Sequence, residues 1–243
     1  MEHVSGKKFL LTRAEDDHGP WLERLTSLGA VGVPYPCISI ETLKLNESWV
    51  EHLERSDWVV FTSLRAVTYF AEHLDGRTLA KQLIAAVGPT TEAAARSRFG
   101  RCDLTAVKGT AASLASALTT KLTPSSRVLL PGAAEPRSEL ADALAAQGAH
   151  AQILPLYATR PRASSGPKLD FSAAGLDAAL FASPSAVSGA LATATLPAGL
   201  PIACIGPSTA AAARSAKLTK IYVSETRDLD GLLRALKTPL RNS

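Results

Sequence analysis

The chain is written twice. Lys8-Phe9-Leu10-Leu11 and Arg127-Val128-Leu129-Leu130 are short apolar runs ending in a turn, and they begin 119 residues apart. An acidic, amphipathic segment follows each. Trp21, Leu25 and Leu28 recur at helical spacing in the first, Leu140 and Leu144 in the second. Each predicted helix stops at a glycine, Gly29 or Gly148, where a residue tolerating the left-handed conformation is wanted. Pro36 and Pro155 keep the same offset in the extended stretches beyond. Asp57-Trp58-Val59-Val60-Phe61-Thr62-Ser63 resembles Asp177-Ala178-Ala179-Leu180-Phe181-Ala182-Ser183 at an offset of 120, and Ala85–Thr91 resembles Ala203–Thr209 at 118. Each is followed by an alanine-rich helix, a short apolar strand and a final helix. Those final helices carry Leu114 and Leu118 in one copy and Leu229, Leu232, Leu233 and Leu236 in the other. Matches in one order around one offset make the repeat a property of the whole chain.

Each copy alternates strand and helix, which implies a parallel sheet with helices on both faces. The expected class is therefore α/β, with two similar parallel-sheet domains. Two partitions satisfy the pattern. The copies are consecutive domains cut near Pro124-Ser125-Ser126, or the first strand and helix belong with the last part of the chain. In the second case the extended segments around 33–40 and 152–161 form a two-stranded tether. Periodicity does not choose between them.

Hydrophobic residues make up 46% of the 243, and charged residues 20%, enough for one large core or two small ones. The net charge of +4 favours anionic partners. Nucleic acid is disfavoured, because no dense Lys/Arg stripe is present and aromatics are few. Cys37, Cys102 and Cys204 are far apart and show no CxxC or CxxxH spacing, so neither a disulfide framework nor a zinc site is expected. They read as buried or free thiols in a reducing compartment. The histidines His3, His18, His52, His73 and His150 read as solvated surface. Met1 to Lys8 is polar, and no apolar run is long enough to span a bilayer, so a cytoplasmic protein without membrane contact is expected.

Ligands of open parallel sheets bind beyond the carboxyl ends of the strands. That rule selects Thr12-Arg13, Thr62-Ser63, Gly88-Pro89-Thr90-Thr91, Pro131-Gly132, Ser183-Pro184-Ser185 and Gly206-Pro207-Ser208-Thr209. Hydroxyls just before a helix start cap it. The exposed backbone N–H groups there also hold anions such as carboxylate or phosphate. For a single turn the cap is the stronger reading, and for paired turns facing one cleft, ligand binding is. No GxGxxG follows the first strand, and neither GxxxxGK[ST] nor GxSxG occurs. Asp16 and Asp17 suggest a phosphoacceptor-type metal pocket, but first-turn acids complementing a helix dipole explain them better. A site here must work without metal, cofactor or strong nucleophile.

In the order LLTR, a helix ending at Gly, FTS-x-x-AV, VGPTT, LPLY, FASPSAV and IGPSTA, the chain resembles the uroporphyrinogen-III synthase family over residues 8–236. The individual motifs are weak and their order is specific. The resemblance implies the swapped partition: flavodoxin-like halves, residues 1–38 with 162–243 and residues 39–161, joined by a two-stranded linker with the cleft between them. It implies a cofactor-free lyase that closes hydroxymethylbilane to uroporphyrinogen III with loss of water and inversion of ring D. The self-contained repeat makes a monomer the expectation, with at most transient contact with hydroxymethylbilane synthase. Tyr157 in Leu154-Pro155-Leu156-Tyr157 matches the family's candidate acid, and its ordinary alternative is an aromatic packed at the linker. Thr91 and Thr209 match cleft threonines, with Thr62, Ser63, Ser183, Ser185 and Ser208 beside them. Arg13 and Arg137 match basic positions suited to substrate carboxylates. Two positions depart from relatives. Arg65 stands where many have asparagine, and Pro201 where some have lysine. The rival reading is a two-lobed small-anion-binding or regulatory module that has kept this fold and lost the activity.

Overall fold

The computed structural model describes residues 1–135, 139–162 and 166–241. They form two compact units, Met1–Ile40 with Thr159–Ser243 and Glu41–Ala158, so the units are interleaved in sequence rather than consecutive.

The first unit holds a wholly parallel five-stranded sheet in the spatial order Ile221–Val223, Ile202–Cys204, Ala178–Phe181, Lys8–Leu11, Val31–Pro34. Counted along the chain, this is the flavodoxin-like order 2-1-3-4-5, whose direction reverses between the first and third strands. Strand alternation divides the core. Phe9 and Leu11 face Leu25, Leu229, Leu232 and Leu233 on one side, while Leu10 faces Val187, Ala190 and Ala213 on the other. These side chains are almost wholly enclosed. Burying each large one stabilises the unit by about 1.5–3 kcal/mol before entropy is counted.

The sheet of the second unit runs Ile38–Thr42, His150–Pro161, Arg127–Ala133, Trp58–Phe61, Leu83–Ala86, Leu104–Thr105. Its last five strands are parallel and repeat the first unit's order member for member. The first two strands of each sequence repeat therefore complete a sheet begun by the other repeat. Within the 33–40 stretch, Val33 and Pro34 close the first unit's sheet, while Ile38–Thr42 lies beside His150–Pro161. Backbone bonds from Leu43 N to Leu156 O and from Arg162 N to Cys37 O advance along one segment while retreating along the other, so that pairing is antiparallel. Trp58, Val60, Val128 and Leu130 pack against Leu114, Leu118, Leu140 and Leu144. Phe61 points to the opposite face, with ring centroids 5.6 Å from Phe70 and 5.5 Å from Phe99.

Gly29 and Gly148 sit at φ 70° and 80°, so both stop signals read from the sequence terminate their helices in the left-handed conformation. Among the described residues, no helix is long and apolar enough to cross a membrane.

Candidate functional site

In each unit, two helices begin at the carboxyl ends of adjacent strands, and they begin differently. Helix Leu64–His73 is capped by Ser63, whose Oγ accepts the N–H of Ala66 at 3.1 Å. Helix Pro184–Thr193 is capped by Ser183 in the same way, accepting from Ala186 N at 3.1 Å. The two serines have nearly the same backbone angles, φ/ψ −159°/154° and −162°/160°. Each cap occupies a lone pair of its serine. Ser183 Oγ also lies 2.9 Å from Ser185 Oγ.

The neighbouring helices have no such cap. Pro89–Phe99 and Pro207–Ser215 start at Gly88 and Gly206 with proline in the first turn and no side-chain cap bond. Without a cap side chain, the first-turn N–H groups of Thr90 and Thr91, and of Ser208 and Thr209, are left for an outside acceptor, reinforced by the positive end of the helix dipole. Both glycines are extended rather than left-handed, so strain does not require them. A Cβ at Gly88 would sit 3.3 Å from Gly109 Cα, while a Cβ at Gly206 would meet nothing within 4 Å. At Gly206 a missing side chain leaves open access to the helix end. Thr90 and Ser208 are exposed; Thr91 and Thr209 are buried. The Thr209 Oγ1 is enclosed with no hydrogen-bond partner among the described residues. The two sites are not equal. Glu92 stands in the first turn of one helix, where Arg96 hydrogen-bonds its carboxylate and holds it below the usual range, and Ala210 takes that place in the other.

The turn after the first strand is tied down. Thr12 is wholly buried, and its hydroxyl donates to Leu180 O at 2.8 Å, so it joins strand ends rather than facing a ligand. Arg13 pairs with Asp17 at 3.4 Å and lies 4.3 Å over the Trp21 ring. Asp17 belongs to a short 3-10 turn, Glu15–Asp17, ahead of the helix that begins at Gly19, so it is an ion-pair partner rather than a first-turn acid. His18, expected to be solvated, is only 4% exposed. Its Nε2 lies 3.0 Å from Leu11 O, a contact that ties the turn to the strand end, and its Nδ1 lies 3.2 Å from Glu15 O within the turn. A histidine one residue before a Gly-Pro helix start carries no periodic signal, and the sequence reading missed it for that reason.

Gly132 lies inside strand Arg127–Ala133 rather than in a turn. The register with His150–Pro161 slips there: Gly132 pairs with Pro155, but Ala133 with Tyr157. Leu156 is the extra residue of a β-bulge, so Leu156 and Tyr157 are both buried instead of alternating. Tyr157 is 7% exposed. Its ring centroid is 5.2 Å from that of Tyr69, and the Arg65 guanidinium carbon lies 5.7 Å from it. Thr62 is exposed at the end of strand Trp58–Phe61. Arg137 lies outside the described residues.

Burial pushes the Cys37 thiol up to about 12 and Cys204 to about 11, and raises Cys102 as well. All three stay protonated near neutrality and are poor nucleophiles. Among the described residues, no group of three or more His, Cys, Asp or Glu is placed to hold a metal ion.

Each unit thus presents hydroxyl-rich strand ends and one open helix end suited to binding carboxylates, and the second unit adds a bulge-positioned phenol with a guanidinium beside it. Comparison with known proteins agrees in kind. The chain is 28% identical over 240 residues to a porphyrin biosynthesis protein HemD of Ruminiclostridium josui, covering 94% of this chain and 47% of that one. It is 30% identical over 196 residues to a chloroplastic uroporphyrinogen-III synthase of Oryza sativa, covering 77% and 65% respectively. The chain therefore spans about half to two thirds of the length of these relatives. Its fold matches the crystal structure of uroporphyrinogen-III synthetase from Helicobacter pylori with a TM-score of 0.64 at 14% identity, over 96% of this chain and 99% of that one. It also matches a mutant uroporphyrinogen III synthase of Thermus thermophilus with a TM-score of 0.58 at 19% identity, over 98% and 100%. The family model described as uroporphyrinogen-III synthase HemD matches residues 20–234, nearly the whole repeat, and the chain belongs to that family.

Proposed function

We propose that this chain converts hydroxymethylbilane to uroporphyrinogen III. Within the family match, one observation carries the reading: each unit repeats an uncapped Gly-Pro helix start with a buried threonine, Thr91 or Thr209, in its first turn. The substrate carries eight carboxylates, and an anion-binding helix end in each unit suits such a polyanion.

Little covalent work falls to the protein. The C–O bond of the hydroxymethyl group breaks as a pyrrole nitrogen supplies its electron pair, giving an azafulvenium cation. A proton from the Tyr157 hydroxyl leaves with the oxygen as water. The substituted carbon of ring D then attacks, forming a spiro intermediate. Its fragmentation and re-closure invert that ring, and the carbon proton lost at the end restores the phenol. Net, the bilane gives the macrocycle and one water. In this reading Thr90, Thr91, Ser208 and Thr209 hold carboxylates at the open helix ends. Thr62, Ser63, Ser183 and Ser185 add hydroxyl contacts, and Arg13 and Arg65 add charge. Gly88, Gly132 and Gly206 leave room for the substrate.

The test is product identity. Hydroxymethylbilane generated in situ closes unaided to the type I isomer. Type III from this protein supports the proposal, whereas type I alone points to a binding or regulatory module on the same fold.

A further inference from the structure

Tyr157 does not stand alone. Arg65 and Tyr69 lie four residues apart on helix Leu64–His73, a spacing that puts both on one face. The Tyr69 ring is tilted 44° to that of Tyr157, with centroids 5.2 Å apart, and Arg65 lies 5.7 Å from the Tyr157 centroid. The helix is held in place by its Ser63 cap and by Phe70, which is fully buried against Phe61 and Phe99. On the facing strand, the bulge at Leu156 turns Tyr157 into the same place. Neither phenol oxygen accepts or donates a hydrogen bond among the described residues. Neither is among the enclosed oxygens without a partner, so both oxygens reach the surface while the rings pack on one another.

Two packed phenols, both with unused hydroxyls, beside a guanidinium form an unusual surface group. A purely structural tyrosine pair would use its oxygens on the backbone, or could as well be phenylalanine. We propose that Tyr69 is a second catalytic phenol, paired with Tyr157, in the proton delivery that releases water from the substrate. The inference rests on the synthase reading. In either arm the balance is the same: the phenol O–H bond breaks, its proton joins the departing hydroxyl oxygen as the carbon–oxygen bond breaks, and the phenolate recovers a proton from the ring carbon at the end. The nearby guanidinium stabilises the transient phenolate, whichever oxygen carries it. With two donors, loss of either one is expected to slow the reaction without stopping it. The electron-rich pyrrole makes the demand on acid strength modest, so a substitute hydroxyl at the same place suffices.

The test compares wild type, Tyr157→Phe, Tyr69→Phe and the double variant, reading kcat for type III product at saturating in situ substrate. The expected result is a loss of about fivefold or less in each single variant and about 50-fold or more in the double, so that the double exceeds the product of the singles, the mark of coupled groups. Phenylalanine keeps both rings packed. Melting temperatures check this, and all rates are compared well below the lowest of them. A double variant no slower than Tyr157→Phe overturns the role of Tyr69 while leaving the synthase reading intact. Wild-type protein that yields no type III product overturns the synthase reading and the inference together.

Discussion

The hydroxyl of Thr12 donates to the carbonyl oxygen of Leu180 at 2.8 Å, joining residues 168 apart in sequence where the order of the first unit's sheet reverses. The same carbonyl accepts only a long bond, 3.4 Å, from Thr12 N. Thr12→Val keeps the shape and removes the donor, leaving a buried carbonyl under-satisfied. The expected cost is about 1–2 kcal/mol, or a fall in Tm of roughly 3–6 °C. Because Thr12 faces no ligand, kcat and KM of the folded fraction stay at wild-type values. A variant with unchanged stability and raised KM would return Thr12 to the binding surface.

Two glycines make opposite predictions. A Cβ at Gly189 would stand 2.1 Å from the Cys37 carbonyl oxygen, a backbone atom that cannot swing away. Gly189→Ala is expected to destabilise the fold by about 2 kcal/mol or more, measured by denaturant unfolding. Gly206→Ala meets nothing within 4 Å in extended backbone. Its stability should match wild type, but the added methyl group crowds the open helix end. The expected rise in KM is about fivefold, equivalent to roughly 1 kcal/mol.

The thiols are expected to be silent in the native state. Burial raises Cys37 to about 12 and Cys204 to about 11, against an ordinary value of 9.0, so the folded protein keeps both protonated where the unfolded chain ionises them. These groups therefore contribute stability that is fully present below pH 9.0 and declines as pH rises toward about 11–12. A disulfide reagent at pH 8 should label none of the three cysteines until denaturant is added, and all three thereafter. Rapid native labelling of Cys204 would contradict the burial argument.

Much of this architecture was legible in the chain because it is written twice. Gly29 and Gly148 marked equivalent helix ends, and DWVVFTS and DAALFAS marked equivalent strands with their capping serines. Periodicity could not decide between consecutive and interleaved units, because a strand pattern records that a face is buried and not which partner buries it. The resemblance, not the periodicity, implied interleaving; in the structure Lys8–Leu11 pairs with Ala178–Phe181. Two site features went unread. Tyr157 was named as the candidate acid, but the bulge that breaks alternation there was not; its sequence trace is Pro155 within an internal strand, a residue largely confined to edges and bulges. Tyr69 reads as one more helical aromatic, since its partner lies 88 positions away along the chain. Thr12 looked like a ligand hydroxyl for the converse reason: its acceptor, Leu180 O, belongs to a strand that the turn itself does not reveal.

The most direct measurement is the isomer ratio as protein concentration is raised against a fixed rate of hydroxymethylbilane supply, with products oxidised and separated as uroporphyrins. Spontaneous closure competes with the protein throughout, so the blank gives type I and sets the scale. The type III fraction is expected to climb with protein concentration toward essentially complete conversion, at catalytic rather than stoichiometric amounts. A type III fraction that stays at the blank level across the titration would show that this chain does not direct ring closure.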